Sequence, residues 1–144
     1  MANWATERLE ALVRGDVTLP PVTRTLRLGT LDSWGPGWIK KTWSPDPDVL
    51  NVDGSLFCGY LAALADQALT FAAMTSVPDG MVFRTINLST TFLRVGKAEP
   101  LKIEARVTSQ TRQIVSTRAE FQRPDGELIA EASAQQFLQV ARAG

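Results

Sequence analysis

The chain of 144 residues contains no histidine and one cysteine, Cys58. The missing histidines remove Ser-His-Asp and Cys-His catalysis, His-ligated zinc and the two-His facial iron triad. A single thiol cannot close an intramolecular disulfide or build a thiolate metal site, and it fits a reducing compartment, so a cytoplasmic protein is expected. Charge of one sign is lacking as well: 15 Lys and Arg stand against 15 Asp and Glu. A nucleic-acid binder working through a global basic field is therefore not expected. The N-terminal stretch MANWATERLEALVRG has no continuous apolar core, so no secretory signal is read there. No apolar run is long enough to span a bilayer, because the longest is interrupted by Asp66 and Gln67. Internal repeats and low-complexity segments are missing too. Any chemistry must rest on carboxylates, hydroxyls, amides, the backbone or the lone thiol.

What is present is ordinary globular composition, 44% hydrophobic and 21% charged, which suits one domain over residues 1–144. The chain is organised around Asn51 to Met74, a turn that becomes an almost wholly apolar helix carrying one acid, Asp66. A helix apolar all round belongs inside a protein. A carboxylate on it is costly to bury unless paired, hydrogen-bonded or in use.

The flanking segments read as its wrapping. Asn3 to Arg14 is a short amphipathic helix stopped by Gly15, and residues 1–22 form that helix and a linker. Pro20 and Pro21 suggest extended chain, Thr23 to Leu31 a weak edge strand, and Asp32 to Gly37 a turn. Trp38 to Trp43 reads as a strand and Ser44 to Asp48 as a loop. The tryptophans at 4, 34, 38 and 43 are expected to pack this region. After a break at Ser76 to Gly80 come four strand-like runs, Met81 to Leu93, Leu101 to Thr108, Ile114 to Gln122 and Leu128 to Val140. In the first, Ile86, Leu88, Thr90 and Phe92 alternate with Thr85, Asn87, Ser89 and Thr91, which puts Thr85 on the polar face. Leu101, Ile103, Ala105 and Val107, and then Val115, Thr117, Ala119 and Phe121, face inward. Pro124, Asp125 and Gly126 make a hairpin turn, and short connections suggest a meander of antiparallel neighbours. The expected fold class is α+β, an antiparallel curved sheet of five to six strands wrapped around a long central helix.

Three motifs resemble the hotdog-fold acyl-CoA thioesterases of the phenylacetate-pathway type. That family carries N-x-x-G-x-x-H-G-G with an acid seven residues on; here stand Asn51, Gly54, Phe57, Cys58 and Gly59, with Asp66 at the acid position. Its T-x-x-L-x-x-x-F-L-R strand corresponds to Thr85, Leu88, Phe92, Leu93 and Arg94, and its D-G-x-L-x-A to Asp125, Gly126, Leu128 and Ala130. The resemblance covers roughly residues 45 to 138. Two positions depart from it: the histidine is Phe57 and the first glycine of the pair is Cys58.

The resemblance implies hydrolysis of an acyl-CoA thioester in a homodimer or a dimer of dimers. Coenzyme A would enter as part of the substrate, and no metal or other cofactor is implied. Asp66 would work across the dimer interface on substrate held by the other subunit, as nucleophile or as base for water. The bland reading is a structural acid, capping or paired with an arginine. The helix N-terminus, with the Cys58 N–H, is the oxyanion-hole candidate, beside Phe57 and Gly59. Asn51 and Thr85 match positions that orient water or the acid; the alternatives are a loop asparagine bonded locally and an ordinary strand threonine. The Cys58 thiol as nucleophile would lack a base. Arg94, Lys97, Arg112 and Arg118 would meet the phosphates of coenzyme A, or else are solvated surface charges. The rival functions are a non-hydrolytic binder of acyl thioesters or a small ligand, a dehydratase or hydratase (which typically pairs Asp with His), and a purely structural dimer.

Overall fold

A computed structural model describes residues 3–142. Helix α1 spans Trp4–Arg14. Asn3 caps it: its Oδ1 accepts the N–H groups of Ala5 and Thr6 at 3.1 Å, and the Thr6 hydroxyl accepts the Asn3 N–H at 2.9 Å. Gly15 ends it in the left-handed conformation, φ 78°. The helix is tied to the far side of the chain by Asn3 Nδ2 donating to the Val77 carbonyl and Trp4 Nε1 to that of Met81.

The expected edge strand over Thr23 to Leu31 is instead a short helix, α2, Pro21–Thr25, followed by a turn. Pro20 is extended, but Pro21 takes the first helical position, where its missing N–H is harmless and its φ is preset. Positive φ at Arg27 and Gly29 then forbids an extended run. The Asp32 to Gly37 segment is likewise more than a turn, since Ser33–Gly35 is strand β1, with the reversal confined to Pro36 and Gly37 before β2, Trp38–Trp43.

Helix α3, Cys58–Met74, crosses the concave face of the sheet formed with β3 (Met81–Phe92), β4 (Leu101–Gln110), β5 (Ile114–Gln122) and β6 (Leu128–Val140). All six strands are antiparallel, in the order β1-β2-β4-β5-β6-β3. This is the hotdog arrangement. Leu61, Leu64, Ala65, Ala68 and Leu69 pack onto inward Leu101, Ile103, Val115, Ala119 and Phe121. Small Ala130, Ala132 and Ala134 on β6 leave room for the helix. The expected meander fails at one connection: β3 pairs with β6, not β4, so residues 93–100 cross over and β3 becomes a sheet edge.

Register overturns a second expectation. The ladder shifts at Ile86, between Thr85 paired with Gln136 and Asn87 paired with Gln135. A bulge residue reverses side-chain parity. Thr85 therefore shares the helix-facing side with Leu88, Thr90 and Phe92, opposite buried Gln136, and is not on the outer polar face. Of the tryptophans, Trp43 is buried against Tyr60, whereas Trp4 and Trp38 remain about two-fifths exposed. Among the described residues no helix is long and apolar enough to cross a membrane.

Candidate functional site

The segment before α3 is stitched by its own side chains. The Asn51 N–H donates to the Ser55 carbonyl at 2.8 Å, and its Nδ2 to the Ser55 hydroxyl and the Leu56 carbonyl. Asp53 accepts the Ser55 N–H and hydroxyl at 3.0 and 2.6 Å, and these bonds hold its carboxyl below the usual range. Leu56 donates its N–H to the Gly96 carbonyl, which fastens this turn to the β3–β4 crossover. Asn51 thus makes the local bonds expected of a loop asparagine. Asn51 is exposed, and its Oδ1 has no donor among the described residues.

Phe57 occupies the N-cap of α3 and supplies no capping bond. Its carbonyl accepts the N–H groups of Tyr60 and Leu61, while those of Cys58 and Gly59 have no acceptor among the described residues. The Phe57 ring lies over Gly59 so closely that a Cβ there would meet it at 2.7 Å. Glycine is needed at 59 for this approach. The backbone donors thus stay open with an apolar ring beside them, and the Cys58 side chain is exposed. Asn51, Ser55, Cys58 and Arg94 line one pocket of about 290 Å³ at this helix end, closed by Leu56, Phe92 and Val95.

Asp66 lies elsewhere. Eight residues along α3 place it about 12 Å from Cys58. The expectation of a buried carboxylate is corrected here: Asp66 is exposed, because the sheet covers only one side of α3. The Thr85 hydroxyl donates to its Oδ1 at 3.5 Å, a loose contact that the bulge at Ile86 makes possible. No arginine pairs with Asp66 among the described residues. Asp66 also lines a second cavity of about 290 Å³, between α3 and the N-terminal segment.

The basic candidates divide. Arg94 is engaged by Glu127 and donates to the Leu128 carbonyl at 2.6 Å, and Arg118 is held by Glu131 at 2.5 Å. Lys97 and Arg112 are exposed, and their charged groups are unpaired among the described residues. Arg112, on the β4–β5 turn, is not among the residues around the helix N-terminus. Among the described residues, no three Cys, Asp or Glu side chains gather as a metal site.

One group escaped the sequence reading. Lys41 is buried, 2% exposed, with its Nζ donating to the Leu28 carbonyl at 2.6 Å and to Gln67 Oε1 at 2.5 Å. Burial pushes its ammonium down to about 8, partly offset by Asp32. The signal was in the sequence: two adjacent lysines in an alternating strand cannot both face solvent. Gln136 is also fully buried; its Oε1 accepts the Thr117 hydroxyl, and its Nε2 has no partner among the described residues.

Comparison with known proteins gives consistent matches. The model of the thioesterase superfamily matches residues 53–130. A phenylacetic acid degradation-related protein of Ralstonia eutropha JMP134 is 27% identical with a TM-score of 0.79, over 90% of this chain and 98% of that one. A thioesterase family protein of Silicibacter pomeroyi is 23% identical with a TM-score of 0.78, over 92% and 99%. A hypothetical thioesterase protein of Streptococcus pneumoniae, solved with coenzyme A, is 22% identical with a TM-score of 0.70, over 78% and 87%. No curated protein matches the chain.

Proposed function

Because the chain belongs to the thioesterase superfamily, we propose that it hydrolyses an acyl-CoA thioester to the free acid and coenzyme A. The observation that carries this reading is the state of Asp66: exposed, unpaired, and held only loosely by the Thr85 hydroxyl. A carboxylate in that state can serve as nucleophile or as base for water. The open N–H groups of Cys58 and Gly59 supply the complementary part, donors for the oxygen of a tetrahedral intermediate.

Within one protomer these parts stand too far apart to act on one carbonyl. The reading therefore includes a homodimer, alone or paired into a tetramer. Support comes from β3, a 12-residue edge strand whose Val82, Ile86, Leu88 and Phe92 are all more than a third exposed. Long apolar edges are normally covered. Pairing β3 with its copy about a twofold axis would continue the sheet and lay the two α3 helices side by side, antiparallel. Asp66 of one copy then approaches the helix N-terminus of the other.

Two routes balance equally. In one, Asp66 attacks the carbonyl carbon, coenzyme A leaves as thiolate, and water cleaves the resulting anhydride. In the other, Asp66 takes a proton from water, whose oxygen attacks directly and expels the thiolate. In both, the Cys58 N–H stabilises the oxyanion, and Asn51 Oδ1 and the Thr85 hydroxyl position water and acid. Lys97 follows Gly96, whose carbonyl accepts the Leu56 N–H just before α3, and is assigned to a phosphate of coenzyme A. Arg94 serves more as a clamp on Glu127.

The test is thiol release from aliphatic and aromatic acyl-CoAs by the wild type beside Asp66→Asn, with sedimentation to follow assembly. Turnover abolished in a variant that still assembles and binds supports the hydrolase. Equal rates would remove Asp66 from the mechanism. A second reading, a non-hydrolytic acyl-thioester binder, is favoured by Phe57, a ring with no hydrogen-bonding group where the family carries histidine. Binding of acyl-CoA by the wild type without turnover on any of the panel would establish it.

A further inference from the structure

We infer that the cavity between α3 and the N-terminal segment receives the acyl body of the substrate, and that it selects an aromatic ring or a medium-length chain. This rests on the thioester-hydrolase reading above and names its substrate class. The cavity is roofed by Leu12, Leu19, Val22, Leu26 and Leu28, and floored by the outer face of α3. On that floor Ala63, Asp66 and Thr70 stand at i, i+3 and i+7, one stripe along the helix. Among the described residues Asp66 is the only acid in the lining. If Asp66 acts at the thioester carbonyl, the remainder of the acyl group runs along this stripe beneath apolar side chains. The roof comes from residues 12–28, outside the family-matched range 53–130, so this wall is supplied by a part of the chain that the family pattern does not specify.

Size and rigidity set the class. An apolar cavity of roughly 150 Å³ takes up benzene, so about 290 Å³ suits a substituted ring or a chain of up to roughly ten carbons. The end of the roof is fixed in place. Lys41 Nζ holds the Leu28 carbonyl, Gln67 Nε2 holds that of Gly29 at 2.8 Å, the Tyr60 hydroxyl donates to Leu26, and Trp43 Nε1 donates to Arg27 at 3.2 Å. Tyr60 and Gln67 stand on α3 and Lys41 and Trp43 on β2, so four successive carbonyls fix the spacing of this segment from the helix, and the pocket is pre-formed.

The experiment compares acyl-CoAs from acetyl to palmitoyl, with phenylacetyl-CoA, on the wild type, Ala63→Phe and Val22→Trp. Both substitutions fill the cavity, from floor and roof; Val22 is exposed in α2, so its replacement keeps the test alive should Ala63→Phe not fold. In the wild type, kcat/KM is expected to climb about fourfold per methylene up to the cavity's length. The ratio of octanoyl to acetyl should fall at least tenfold in either folded variant. Calorimetry with octanoate as the probe separates the two readings. Octanoate bound by the wild type and lost on filling supports the cavity even if no thioester is cleaved, in which case only the hydrolase reading fails. Turnover with an unaltered octanoyl-to-acetyl ratio in the filled variants, or no octanoate binding by the wild type, overturns the inference.

Discussion

The two pockets on α3 are equal in volume and opposite in construction. The one at the helix N-terminus offers its donors from the backbone: open N–H groups beside a turn stitched by Asn51, Asp53 and Ser55 and a carbonyl-bound crossover. The one at mid-helix is made of side chains, with leucines and a valine above and Asp66 at its edge. On the proposed hydrolase reading, the difference accounts for departures from the family pattern at the first. A backbone N–H persists when glycine becomes Cys58. The second depends on identity, since no neighbour replaces the carboxylate of Asp66.

That contrast breaks most sharply at Asp66. Asp66→Asn keeps size and hydrogen bonding but removes the base or nucleophile, and thiol release is expected to fall about a thousandfold. Next comes Cys58→Pro. Cys58 is the first residue of α3, where proline is accommodated, and Phe57 before it is already extended at φ −70°, ψ 122°, as proline requires. The change removes one N–H while sparing the helix, and kcat should drop about a hundredfold. Cys58→Ala, which keeps the N–H and loses only the thiol, should restore activity to within a few-fold of the wild type. Equal losses in the two variants would make the side chain, not the backbone, the working part. Thr85→Val should lower kcat about tenfold with KM little changed, and Thr85→Ser should recover it, because the hydroxyl touches the acid rather than the binding walls.

The sequence made part of this legible for physical reasons. The inward faces of β4 and β5 follow from strict alternation, and α3 from an apolar stretch too long and too uniform for a surface helix. Asp66 and Asn51 stood out by motif and spacing. What was hidden depended on single-residue offsets or on distant partners. One bulge at Ile86 moved Thr85 to the opposite face, which no count of alternation reveals. The β3–β6 pairing is a tertiary choice that short connections do not dictate. The proline pair reads as extended chain, yet Pro21 begins α2 at N1, a position that proline suits equally well. The mid-helix cavity is invisible from α3 alone, because its roof lies some 40 residues earlier in the chain.

Lys41 carries the smallest expected effect on activity and sharpens the comparison through stability. It pins the roof of the side-chain pocket and touches nothing at the backbone one. Its two hydrogen bonds favour the ammonium, and Asp32 favours it too, but burial outweighs both and holds the group at about 8 against 10.5 for a free lysine. Below pH 8 the group is charged folded or unfolded, and the folded state bears the full cost of a buried cation. Between about 8 and 10.5 the unfolded chain retains a proton that the folded one releases, so unfolding free energy rises with pH; above that window neither state is charged. The rise should be on the order of 2–3 kcal/mol. It is read as the difference between wild type and Lys41→Met in denaturant titrations at pH 7 and pH 10, which cancels titrations common to both, including that of Tyr60, whose raised hydroxyl works in the opposite direction. A difference independent of pH would mean that the ammonium is solvated rather than buried, and that the roof is held by Gln67 and Tyr60 without it.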